Sequence, residues 1–125
     1  MTLFVDCDDT LVRWLDAYDQ PLSGQNPYGG GSQRFSFNEP LIDAIKAALD
    51  DDPELQVVVW SGGGAQYALH WARSVFSGSS YESRVGAYSK DTRLPVEGDL
   101  CVDDQDLKVA CPCVTAELYV SLSGR

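Results

Sequence analysis

The sequence predicts an α/β fold built on a parallel sheet of about five strands, and three observations point to it. Short apolar runs recur along the chain without polar alternation, as strands covered on both faces require. Segments with helical spacing lie between those runs. The polar residues that stand out gather where the runs end. Alternating strands and helices build a right-handed, doubly wound, Rossmann-like sheet. A chain of 125 residues is long enough for one domain, 1–125, with a substantial core.

The first strand is expected at Leu3–Val5, followed directly by Asp6-Cys7-Asp8-Asp9-Thr10. Residues 11–37 break the alternation, with Pro21, Gly24, Pro27 and Gly29–Gly31 interspersed among Trp14, Tyr18, Tyr28, Phe35 and Phe37. That segment is too aromatic for a linker and too rich in glycine for a helix. A turn followed by a hairpin or flap over the end of the first strand is expected there. Asn38-Glu39-Pro40 then reads as a cap with proline in the first turn. The helix it opens carries Leu41, Ile42, Ile45, Ala48 and Leu49 on one side and stops before Asp52-Pro53.

Val57–Trp60 is the second sheet strand. After Gly62–Gly64 a second helix presents Ala65, Ala68, Leu69, Ala72, Val75 and Phe76 to the core and ends at Ser77-Gly78. Val85–Tyr88 is a weaker strand with Gly86 inside it, and Leu100–Val102 is the next. A fifth strand is expected around Val109–Val114, although Pro112 interrupts it.

Composition narrows the function classes. Hydrophobic residues make up 44% of the chain and charged residues 22%, as in a globular protein. Nine basic residues against 19 acidic ones give a net charge of −10, which argues against binding to extended nucleic acid or an anionic membrane. No run approaches the roughly 20 apolar residues of a membrane span. The opening MTLFVDCDD has neither a basic leader nor an apolar signal region, so no secretory signal is expected. Cys7, Cys101, Cys111 and Cys113 contain no CxxC pair, and His70 is the sole histidine, so a zinc site is not indicated. Cys7 and Cys101 fall in strand-like runs as small hydrophobes, and Cys111 and Cys113 flank Pro112, so a reducing cytoplasm is expected.

In a parallel α/β sheet ligands bind outside the carboxyl ends of the strands. The strand exits here are Asp6-Cys7-Asp8-Asp9-Thr10, Ser61 with Gly62–Gly64, Ser89-Lys90, and Asp103-Asp104. Such a set suits a phosphoryl group. Carboxylates from two strand ends give Mg²⁺ the hard oxygen ligands it prefers. A lysine and a small hydroxyl hold phosphoryl oxygens, and glycines opening a helix expose N–H groups to an anion.

These residues, in this order, resemble the four motifs of the haloacid dehalogenase superfamily. Asp6-Cys7-Asp8-Asp9-Thr10 is similar to its DxDxT motif, Ser61 to the second motif, Lys90 to the third and Asp103-Asp104 to the fourth. The match runs from residue 6 to residue 104. The resemblance implies that Asp6 is the nucleophile, forming an aspartyl-phosphate, and that Asp8 is the general acid and base. It also implies that Ser61, Gly62 and Lys90 hold the phosphoryl group. Thr10, grouped with them, braces the loop. Mg²⁺ would be bound by Asp6, by Asp8 through its backbone carbonyl, and by Asp103 or Asp104 or both. The 11–37 segment would be the family's squiggle and flap, in a compact branch without a large cap domain.

Asp8 matters within the family, because members that displace halide have no need of an acid at this position. The expected activity is therefore hydrolysis of phosphomonoesters, the substrate being a phosphorylated small molecule or nucleotide. A nucleotide or polynucleotide-end (3′- or 5′-) phosphatase is the more specific alternative. A catalytically silent fold kept for partner binding is another, and a receiver-like module a third. The receiver reading needs a phosphoacceptor Asp after its third strand, and none follows Val57–Trp60 or Val85–Tyr88.

Plainer roles exist for several of these residues. Ser61 could cap the second helix, Asp6 with Asp8 and Asp103-Asp104 could be solvated or capping turns, and Arg84 or Arg93 could take the place of Lys90. His70 is expected at the surface or in packing, and Trp60 and Trp71 in the core. Trp14, Tyr18 and Tyr28 could stack on a base or sugar or simply pack the flap.

Overall fold

The structure is a computed structural model that describes residues 1–15, 24–25 and 34–123. In chain order its elements are β1 (Thr2–Asp6), β2 (Val12–Leu15), β3 (Gly24–Gln25), β4 (Arg34–Phe37) and α1 (Glu39–Asp51). They continue with β5 (Gln56–Ser61), α2 (Ala65–Phe76), β6 (Val85–Ser89), β7 (Leu100–Val102), β8 (Cys113–Val114) and α3 (Ala116–Leu122). Five strands form one sheet in the order β6-β5-β1-β7-β8, and every pairing in it is parallel. The chain builds outward from β1 to β5 and β6, then crosses back to β7 and β8, so the strand order reverses at β1. This is an α/β fold compatible with a Rossmann-like sheet.

Apolar runs without alternation become strands buried on both faces. Leu3, Val5, Val57 and Val59 point to one side, where they meet Leu41, Ile45 and Leu49 of α1 and Ala68, Trp71 and Phe76 of α2. Ala116 of α3 closes the same cluster. Phe4, Val58, Trp60 and Cys101 point to the other side. There the partners are Leu107, Val109 and Cys111 from irregular chain and Cys113 from β8. The helices thus serve one face, and the returns from β6 to β7 and from β7 to β8 cross the other without a described helix. That is thinner cover than a doubly wound sheet with helices on both faces has.

Asn38 caps α1 by accepting from the Leu41 N–H, with Pro40 in the first turn as expected. In α2 the buried residues are Ala68, Trp71, Ala72 and Phe76, whereas Ala65 is exposed because the first turn faces the rim of the sheet. The fifth strand shrinks from the expected Val109–Val114 to Cys113–Val114. Pro112 offers a carbonyl to the Cys101 N–H at 3.0 Å but has no N–H to return, so the ladder starts after it. Helix α3 was not expected. Its seven residues, capped by Thr115, are too short for a legible period.

In the flap, β2 and β4 pair antiparallel from Val12↔Phe37 to Leu15↔Arg34, and β3 adds to β4. This agrees with a hairpin in the 11–37 segment; Tyr18 and Tyr28 lie outside the described residues. Among the described residues no helix is long and apolar enough to cross a membrane.

Candidate active site

The loop after β1 is folded by its own backbone. The Cys7 carbonyl accepts from Thr10 and Val12 N–H at 3.3 and 3.0 Å, and the Asp6 carbonyl from Leu11 N–H at 3.3 Å. The reversal needs a left-handed residue, and Asp9 supplies it at φ 60°, a conformation that aspartate tolerates better than most. The Asn38 side chain donates to the Thr10 carbonyl at 3.0 Å and so ties the loop to the start of α1.

Asp6, at the end of β1, is 6% exposed, and Asp103, just beyond β7, is 2% exposed. Lys90, just beyond β6, lies between them, with Nζ 3.0 Å from Asp6 Oδ1 and 2.8 Å from Asp103 Oδ2. Thr10 donates to Asp6 Oδ2 at 3.3 Å, and Gln105 N–H donates to Asp103 Oδ1 at 3.0 Å. Asp104 is exposed and brings a third carboxylate, so that one oxygen each of Asp6, Asp103 and Asp104 lies within 4.8 Å of the others.

Three carboxylates around one ammonium leave the cluster short of positive charge. Burial, and then the negative charge of Asp103, push the Asp6 carboxyl up to about 7, with Lys90 opposing them. Burial and Asp103 raise Asp104 as well. Burial alone would lower Lys90, but its bonds to Asp103 and Asp6 outweigh that and raise it. Crowded hard oxygen donors of this kind fit a divalent cation such as Mg²⁺.

Ser61 ends β5 and is buried. Its Oγ accepts from the Gly63 N–H at 2.9 Å, which leaves its own proton for a ligand. It therefore caps the turn before α2 without capping the helix itself, where Gly64 stands at φ 107° and ψ 166°, a conformation reserved for glycine. The backbone N–H of Lys90 bonds the Ser61 carbonyl at 3.0 Å, fixing the two residues side by side.

A cavity of about 250 Å³ is lined by Asp6, Asp8, Asp9, Ser61, Gly62, Gly63, Lys90, Asp103, Asp104 and Gln105. The sequence-selected residues converge there, with two qualifications. Thr10 is buried behind Asp6 and does not line the cavity, so it braces Asp6 and is not in reach of a phosphate. The Asp8 carboxylate stands apart from the acidic trio and accepts from Tyr67 and Trp14.

The alternatives to Lys90 are accounted for elsewhere. Arg84 bonds the carbonyls of Leu49, Asp52 and Leu55, and Arg93 lies over the Phe4 and Tyr88 rings. His70 packs against Trp71, and Trp60 and Trp71 are core. Tyr67 was not anticipated from sequence. The available signal was a tyrosine in the first turn of a helix that opens beside the site. Burial and its bond to Asp8 push its phenol well above the ordinary tyrosine range, so it stays a donor.

Searches of protein-family models, curated proteins and solved structures find no match for this chain. The functional reading therefore rests on the residues and their arrangement.

Proposed function

We propose that this chain is a Mg²⁺-dependent phosphatase of the haloacid dehalogenase kind, hydrolysing phosphomonoesters through an aspartyl-phosphate on Asp6. The observation that carries the reading is the meeting of Asp6, Lys90, Asp103 and Asp104 at one rim, delivered from three separate strand ends.

Asp6, Asp103 and Asp104 would hold Mg²⁺, with the Asp8 backbone carbonyl as the further expected ligand. The ion would supply Lewis-acid neutralisation of phosphoryl charge. Lys90 orients the Asp6 carboxylate and stabilises charge on the phosphoryl oxygens; the Ser61 hydroxyl and the Gly62 N–H hold those oxygens. In the first step an Asp6 oxygen bonds to phosphorus as the ester P–O bond breaks. The departing oxygen keeps the electron pair and takes a proton from Asp8. In the second, Asp8 removes a proton from water as its oxygen bonds to phosphorus, and the Asp6–phosphorus bond breaks to release inorganic phosphate.

The cavity wall favours a small substrate. Asp8, Asp9 and Asp104 stand around the opening, and among the described residues Lys90 is the one cation lining it. Such a rim repels a polyanion, so a small phosphomonoester is preferred over a nucleic-acid end. All four cysteines are free, which suits a reducing cytoplasm.

The test is hydrolysis of p-nitrophenyl phosphate and a panel of nucleotides, with and without Mg²⁺, beside Asp6→Asn. Mg²⁺-dependent turnover that disappears in the variant is expected. Unchanged turnover in Asp6→Asn overturns the mechanism. Slow phosphate uptake from a small donor without sustained turnover would point to the receiver-like module.

A further inference from the structure

We propose that Tyr67 and Trp14 are positioning residues that hold Asp8 by one oxygen and leave the other to carry the proton. This rests on the phosphatase reading and adds to it.

Two donors from different parts of the fold meet on one atom. The Tyr67 hydroxyl, in the first turn of α2, donates to Asp8 Oδ1 at 2.5 Å. The indole N–H of Trp14, on β2 of the flap, donates to the same Oδ1 at 3.1 Å. Neither bond goes to Oδ2. Asp8 is otherwise an exposed side chain, and an exposed carboxylate changes rotamer in picoseconds to nanoseconds. A general acid must stay within about 3 Å of the oxygen it protonates. Donors fixed on Oδ1 both stop the rotation and select Oδ2 as the oxygen that binds a proton, since Oδ1 is already accepting twice.

The clamp has a rigid base. Trp71, fully buried, meets the Tyr67 ring edge-on at 6.2 Å and the Trp14 ring edge-on at 6.0 Å. Phe35 of β4 sits against both Trp71 and Trp14, at 4.9 and 6.0 Å. A Cβ at Gly63 would come within 3.5 Å of the Tyr67 ring and 3.3 Å of Ser61 Oγ. The absent side chain there lets the phosphate-binding hydroxyl and the clamp lie next to each other. Trp14 lies on β2 and Tyr67 on α2, so the clamp ties Asp8 to two separate elements.

The experiment uses the full chain with Mg²⁺ and two matched substrates, phenyl phosphate and p-nitrophenyl phosphate. They differ mainly in how much the leaving oxygen needs a proton. In Tyr67→Phe, which keeps the ring, kcat should fall about tenfold on phenyl phosphate and no more than about twofold on p-nitrophenyl phosphate, with KM little changed. Asp8→Asn should show the same dependence at larger amplitude. Adding Tyr67→Phe to Asp8→Asn should cost nothing further, because the two act through one group. Trp14→Phe provides a second variant with the same expected pattern should Tyr67→Phe not fold. Equal losses on both substrates, no loss, or additive losses in the double variant would overturn the proposal while leaving the phosphatase reading intact. Absence of turnover by the unaltered protein on either substrate would strike that reading itself.

Discussion

Two cations stand at opposite ends of β6, and they have opposite surroundings. Arg84, just before the strand, donates to the Leu49 carbonyl at 2.8 Å, to the Leu55 carbonyl at 2.9 and 3.1 Å, and to the Asp52 carbonyl. Leu49 and Asp52 belong to the end of α1, whose last carbonyls lack helical partners and carry the negative end of the dipole. Lys90, just after the strand, faces the carboxylates of Asp6 and Asp103, with Asp104 beside them. Carbonyl dipoles around a guanidinium make a closed, satisfied joint between α1, β5 and β6. Three carboxylates around one ammonium make an unbalanced one, and imbalance is what a ligand site requires.

The sharpest way to break the unbalanced end is Asp6→Asn. Turnover should drop by a factor on the order of 10⁴ to 10⁶, as when a covalent nucleophile is removed. Thermal unfolding should show stability unchanged or raised, because one of three crowded acids is gone. A fall in both would place Asp6 in the scaffold. Lys90→Met comes next. It should cost about 10² to 10³ in kcat through the lost charge on the phosphoryl group. It should also cost about 2 kcal/mol of stability in chemical denaturation, since Asp103 loses its partner while buried.

Arg84→Met tests the other end of the strand. The α1 and Leu55 carbonyls would lose their charged donor, with an expected loss of about 3 kcal/mol in the unfolding free energy and no change in kcat. Lost activity without lost stability would erase the distinction between the two ends.

The legibility of the fold follows the same divide between regular and irregular chain. The central strands and both long helices could be read because each spans enough residues for burial to leave a period, as Leu41, Ile45 and Leu49 do in α1. The far face could not. Leu107, Val109 and Cys111 cover Phe4, Val58 and Trp60 from irregular chain, where contacts leave no spacing to read. The site was legible because its groups sit at strand exits, which the apolar runs themselves mark. What escaped was pairwise geometry. Nothing in the sequence separates Lys90 from Arg84 and Arg93; only their partners do. The bond from Tyr67 to Asp8 spans 59 residues of chain and is set by the angle of α2 on the sheet.

The smallest effect concerns protons, in protein freed of divalent ions. Asp6 binds its proton more tightly folded, with the carboxyl pushed up to about 7, than it would unfolded near 3.8. A group raised on folding favours the native state at low pH, and that contribution is lost as pH rises through the folded value. The Asp6 contribution should therefore fall by about 2 kcal/mol between about pH 5 and pH 7. Other acids overlay their own slopes, so the informative quantity is the difference between the protein and Asp6→Asn, whose profile should lack this decline. Mg²⁺ competes for the same oxygens with the proton, so its stabilisation should grow as pH rises across that window and shrink in the variant. If the protein and Asp6→Asn instead ran parallel across that window, the Asp6 carboxyl would not be raised and Lys90 would be fully neutralising it. The excess negative charge that separates the two ends of β6 would then not exist.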